Sequence, residues 1–179
     1  MMTSEPIPSP SSGATSAQNV LLIVDAESVL SRYPNPSLDA TAPTSIADGF
    51  IFFVTANNSK ETVINDSKFT ITGDIDRDLH VRARSVSLIA EHSVVMYALT
   101  ADGDALSDPR LEVHTNLTVP APNPDNPAEP GSKNADDHLW ICTPKNSGTA
   151  HCHLSFMLVN QQCEAVGYFD WQVDVELKA

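Results

Sequence analysis

Apolar positions along the chain recur mainly with a period of two, which is the period of strands. Val20-Leu21-Leu22-Ile23-Val24 is a continuous apolar run, the pattern of a strand buried on both faces. Asp25 then predicts the cap of a short helix over Ala26 to Tyr33, with Glu27 in its first turn and Val29, Leu30 and Tyr33 on one face. Pro34 and Pro36 stop that helix. Phe50-Ile51-Phe52-Phe53-Val54 is a second run of the buried type. Phe69 and Ile71 alternate with Lys68, Thr70 and Thr72, and Leu79, Val81 and Ala83 alternate with His80, Arg82 and Arg84. After Ser85 the apolar positions change parity to Val86 and Leu88, which predicts a β-bulge. Val94 to Thr100 is apolar on both faces and ends at Ala101-Asp102-Gly103-Asp104; Leu111, Val113, Thr115, Leu117 and Val119 alternate with polar residues.

Pro120 to Asp137 is proline-rich and without apolar period, so it reads as a long loop, mobile or held by a partner chain. Two linked hairpins follow. Leu139 to Thr143 turns at Asn146-Ser147-Gly148 into His151 to Val159, which turns at Asn160-Gln161-Gln162 into Ala165 to Leu177. In the last strand Phe169, Trp171, Val173, Val175 and Leu177 face one way and Asp170, Gln172, Asp174 and Glu176 the other. About nine short strands and one short helix predict an all-β domain, a two-sheet antiparallel β-sandwich of jelly-roll type. Strands apolar on both faces favour this over a closed barrel.

Length and composition narrow the class. The chain of 179 residues fits one domain. Residues 1–18, rich in Pro, Ser, Thr and Ala, read as a disordered tail, and residues 19–179 as the domain. The tail has no basic stretch followed by an apolar one, so it is not a secretory signal, and the chain has 3 Cys; both point to the cytoplasm. With 10 Lys+Arg against 23 Asp+Glu the net charge is −13. That excludes nucleic acid as the main partner and disfavours anionic membrane surfaces. No apolar run approaches the roughly 20 residues of a membrane helix.

Several segments carry a family resemblance. Asn19-Val20-Leu21-Leu22-Ile23-Val24-Asp25 followed by Tyr33-Pro34-Asn35-Pro36-Ser37 resembles the AidA/PixA family of bacterial inclusion-body proteins. Gly73-Asp74 with Arg82-Ala83-Arg84-Ser85-Val86-Ser87-Leu88 is similar to the family's Gly-Asp and Arg-x-x-Ser-Leu pattern. Gly167-Tyr168-Phe169-Asp170-Trp171 is similar to its Gly-Tyr-Phe-x-Trp close. The resemblance spans Asn19 to Leu177. It implies a cytoplasmic protein, in some members stored as crystalline inclusions and in some controlled by quorum sensing in bacteria that live with hosts. It brings no catalytic residues.

His151-Cys152-His153 is the most chemical-looking triplet. Residues two apart on a strand share a face, so both imidazoles could meet one metal ion. A cupin-type site would need a Glu four or five residues on, where Met157 and Leu158 stand, and a third ligand from His80, His114 or His138. His151 and His153 are therefore weak candidates, and no metal or other cofactor is expected. Asp74, Asp76 and Asp78 have a spacing suited to calcium but lack the rest of an EF-hand loop, so a solvated turn is expected. Cys142 and Cys152 flank a turn symmetrically and would be cross-strand neighbours in a regular hairpin, as a disulfide or, in the cytoplasm, as two reduced thiols. His151 and His153 cannot activate Cys152, because neighbours on a strand point to opposite faces. Trp140, Tyr168 and Trp171 could form a sugar-binding face, although Trp171 is in phase with the core row of its strand.

The reading is a non-enzymatic, self-associating protein, a homodimer or higher oligomer joined through exposed strand edges. The alternative is a module for a carbohydrate or another small polar ligand. A metal-dependent jelly-roll enzyme is more distant.

Overall fold

In the computed structural model, described over residues 17–47, 49–55, 68–72, 75–87 and 91–178, the chain runs β1 (Gln18–Val24), α1 (Ala26–Arg32), β2 (Thr44–Ser45), β3 (Ile51–Thr55), β4 (Lys68–Thr72), β5 (Leu79–Ser85), β6 (His92–Asp102), β7 (Arg110–Pro122), β8 (Pro130–Cys142), β9 (Gly148–Asn160) and β10 (Ala165–Lys178). The first sheet has the order β3-β1-β5-β8-β7. The second has β2-β10-β9-β6, with β4 also on β10. The sheets stack on their apolar rows. Val20, Leu22 and Val24 of β1 and Leu79, Val81 and Ala83 of β5 meet Cys152, Leu154 and Phe156 of β9 and the buried row Phe169 to Leu177 of β10. The Trp140 indole N–H donates to the Met96 carbonyl at 3.0 Å and so ties the two sheets together.

The expected two-sheet sandwich is present, but its sheets are mixed rather than antiparallel. β1 runs parallel to β5, and both β2 and β4 run parallel to β10. Only strands joined by a tight turn must be antiparallel. These partners are distant in sequence, so their direction was free of that constraint.

The short helix forms as expected. Asp25 caps it, accepting from the Ser28 backbone N–H at 3.1 Å and from its hydroxyl at 2.7 Å. β1 opens at Gln18, one residue before the expected boundary, and of the expected tail over residues 1–18, residues 1–16 lie outside the described residues.

Four local readings change. β3 is an edge strand, so the run Phe50 to Val54 is not buried on both faces: Phe52 and Val54 are 45% and 49% exposed. β5 ends at Ser85 without a bulge. Val86 is 65% exposed beyond it, and Leu88 lies outside the described residues. Bulges occur instead in β6 between Met96 and Ala98, in β7 between His114 and Leu117, and in β10 between Ala165 and Gly167.

The third change is the largest. Pro120 to Asp137 is not a loop, because β7 and β8 pair through Pro122↔Pro130, leaving residues 123–129 as the connection. Pro120 and Pro122 are two apart, so both missing N–H groups fall on the same side of β7, the outer edge that has no partner strand among the described residues. Polar composition hid a ribbon that needs little core.

Fourth, Leu139 to Val159 is not a hairpin. β8 belongs to the first sheet and β9 to the second, so the turn at Asn146-Ser147-Gly148 carries the chain across the core. The β9–β10 hairpin is as expected, its corner held by the Asn160 side chain, which accepts from the backbone N–H of Gln162 and of Glu164 at 3.0 Å.

Candidate functional site

At one end of the sandwich the inward rows change from apolar to polar. On β5 the row Leu79, Val81, Ala83 finishes in Ser85, and on β8 the row Cys142, Trp140 continues as His138 and Asp136. β6 starts opposite them with His92 and Ser93. With no large apolar side chain to fill it, this mouth is a half-open cleft of about 290 Å³, with Val94 as an apolar member of its lining.

The rim is electrostatically closed. Asp137 accepts from Arg84 at 2.9 Å and from Arg82 at 3.3 Å. Partial burial raises the Asp137 pKa, but the bonds from Arg84, the His138 backbone N–H and Arg82 outweigh it and hold the carboxyl below its ordinary range. Asp136 accepts from the Asn116 backbone N–H at 2.7 Å, which pins the β7 bulge where Asn116 has φ +55°. Deeper in, the Nδ1 atom of His92 is buried with no hydrogen-bond partner among the described residues. His92 and Asp136 were not singled out in the sequence. Their signal was the loss of apolar character at the ends of the β5 and β8 rows, and it becomes a site only once those rows are known to be neighbours.

His151 and His153 share the outward face of β9, as expected. Each is bound through Nδ1 to a carboxylate of β10: His151 to Asp174 at 2.6 Å and His153 to Asp170 at 3.2 Å. His80, His114 and His138 belong to the other sheet, His114 bound to Glu112 at 2.9 Å and His138 in the cleft. Among the described residues no group of three or more His, Cys, Asp or Glu side chains is placed to hold a metal ion. Asp76 and Asp78 also diverge, Asp76 to Lys145 at 3.3 Å and Asp78 to the Thr143 hydroxyl at 2.6 Å. Asp74 lies outside the described residues.

Cys142 and Cys152 are buried free thiols on opposite sheets, not cross-strand neighbours, while Cys163 is exposed. Both buried thiols line an apolar pocket of about 40 Å³ between the sheets. Burial pushes each pKa up to about 12, helped at Cys142 by Cys152 and Asp78 and at Cys152 by Asp174 and Asp102. Trp140 and Trp171 are buried in the core, so they form no sugar-binding face. Tyr168 packs edge-on against Tyr97, the bulged residue of β6, at 5.7 Å between ring centres, and the Tyr97 hydroxyl donates to the Ala40 carbonyl at 3.1 Å.

These features define a two-sheet β-sandwich with one open, polar end. The chain belongs to the PixA inclusion body protein family, which matches residues 16–177 and bears out the resemblance read from the sequence. The crystal structure of an inclusion body protein (PixA) from Burkholderia cenocepacia J2315 shares the fold, with a TM-score of 0.73 at 16% identity over 93% of this chain and 98% of that one. No curated protein matches the sequence. Among the described residues no helix is long and apolar enough to cross a membrane.

Proposed function

We propose that this protein acts in the cytoplasm by assembling with copies of itself rather than by catalysis. The observation that carries this reading is the unpartnered edge of β7. Leu111 and Val113 lie on it at 47% and 57% exposure, because the second sheet ends at β6 and leaves them uncovered. The prolines at 120 and 122 blunt the far half of that edge, whereas Arg110 to His114, paired with β8 on its inner side, contains no proline and presents its outward backbone groups to a second β7 about a twofold axis. The absence of catalysis is supported by the side chains that looked chemical in the sequence. Among the described residues His151 and His153 have no third ligand placed to complete a metal site, and Cys142 and Cys152 stay protonated and therefore poorly nucleophilic.

Sedimentation velocity at micromolar protein in moderate salt tests the reading. The expected species has at least twice the 19.3 kDa chain mass, and Val113→Lys shifts it to the monomer. A single monomer of the unaltered protein overturns it. Family membership also supports control by quorum sensing and a role towards a host. Transcript that does not rise with cell density in the producing bacterium would remove the first of these. A second reading, binding of a carbohydrate or other small polar molecule, is favoured by the cleft between β5, β6 and β8.

A further inference from the structure

We propose that the cleft at the mouth of the sandwich binds a small, neutral, polyhydroxylated molecule, a monosaccharide or cyclic polyol, held by His92, His138 and Asp136. This rests on the second reading above and gives it a ligand class and residues.

Size sets the first limit. About 290 Å³ is just under the lower end of the roughly 300–1,000 Å³ spanned by ligand pockets, enough for one six-membered ring with its substituents. Polarity sets the second. The walls are serine hydroxyls, imidazoles, carboxylates and the Arg84 guanidinium around Val94, so an apolar ligand would strand polar groups without partners.

Charge sets the third. Asp137 is already matched by Arg82 and Arg84. Asp136 lines the cleft and has Oδ1 engaged by Asn116, which leaves its carboxylate with acceptor capacity to spare. An anionic ligand would meet this carboxylate at close range and the −13 chain at long range. The buried Nδ1 of His92 sets the fourth. It is a donor in one tautomer and an acceptor in the other. A hydroxyl group satisfies either, whereas a carboxylate or an ammonium satisfies only one. A ring carrying several hydroxyls thus supplies a donor to Asp136 and a partner of either sense to His92 and His138.

The test uses the full-length chain and two-bond 1H–15N spectra of the histidine rings, titrated separately with D-glucose, D-mannose, myo-inositol and inorganic phosphate. The expected result is a saturable shift of the His92 and His138 signals by at least one neutral probe and none by phosphate. Affinity for that probe falls about tenfold in Asp136→Ala, which removes a charged acceptor at an exposed position. It is lost in His92→Phe, with His138→Gln as a second variant should that one not fold. A methyl glycoside bound as well as its free sugar assigns the ligand to the end of a longer glycan; weaker binding assigns it to the free sugar. Phosphate shifting these signals while the neutral probes do not overturns the ligand class but leaves a polar-ligand cleft. No response to any probe, or equal affinity in Asp136→Ala and His92→Phe, overturns both.

Discussion

Pro36 lies directly against Gly167: a β carbon at position 167 would stand 2.7 Å from Cγ of Pro36, and 2.8 Å from the Phe169 ring. One residue further along each segment, the Tyr168 backbone N–H donates to the Ser37 carbonyl at 2.8 Å. The Tyr-Pro-Asn-Pro-Ser segment and the Gly-Tyr-Phe-Asp-Trp segment, far apart in the chain, are therefore one structural unit. It seats the start of β10 beside the chain leaving α1. Gly167 is required there for space, not for a left-handed backbone.

Replacing Gly167 by Ala is expected to destabilise the fold by about 1–3 kcal/mol, the usual range for overpacking, because one neighbour is a rigid proline ring and the other a buried phenyl. Urea unfolding monitored by tryptophan fluorescence measures it. A midpoint equal to that of the unaltered protein would show that Pro36 moves aside freely.

The sheet-to-sheet bond of Trp140 gives a second expectation. Trp140→Phe leaves the Met96 carbonyl without its partner and shortens the ring that spans the sheets. A loss of about 1–3 kcal/mol follows from the unsatisfied carbonyl, read from the same urea titration, and it should exceed the loss from Leu117→Ala on the exposed ribbon.

The buried thiols predict an alkaline weakness. Cys142 and Cys152 titrate at about 12 in the folded chain against a reference of 9.0. A raised folded pKa stabilises fully below the unfolded value and is lost as pH rises. Between pH 9 and 12 the unfolded state holds fewer protons, and each thiol steepens the fall in stability by about 1.4 kcal/mol per pH unit. Cys142→Val with Cys152→Val, whose added methyl groups the adjoining 40 Å³ pocket receives, should flatten the stability curve from pH 8.5 to 10.5. In the native protein at pH 8 a thiol reagent should label one cysteine, Cys163, and all three only in denaturant. Equal slopes for the two proteins, or three reactive thiols in the native state, would contradict the burial.

Limited proteolysis separates a ribbon from a loop. Cleavage of dilute protein should fall within residues 123–129, where the connection is held by contacts of Asn123 and Asn126 with nearby backbone N–H groups. Residues 130–137 should resist, because they are paired from Pro130 to Asp137 with β7. Early cuts at Lys133 would restore the loop reading.

The chain by itself determined what depends on neighbours in sequence. The period of two gave the strands. Asp25 before an apolar helical stripe gave the capped helix, and the alternation from Phe169 to Leu177 gave the core face of β10. The three segments shared with the family were legible as well. Tertiary structure alone decided which strands pair. The symmetry of Cys142 and Cys152 about a glycine turn fits a hairpin and a crossing between sheets equally, because local pattern fixes which way a side chain faces but not which partner its backbone hydrogen bonds find. The proline-rich ribbon was illegible for a related reason: an edge strand owes its order to the neighbour it pairs with and not to apolar residues of its own. The polar cleft needed both facts at once, since Ser85, His92 and His138 are far apart in sequence and meet only where β5 ends and β6 begins beside the middle of β8.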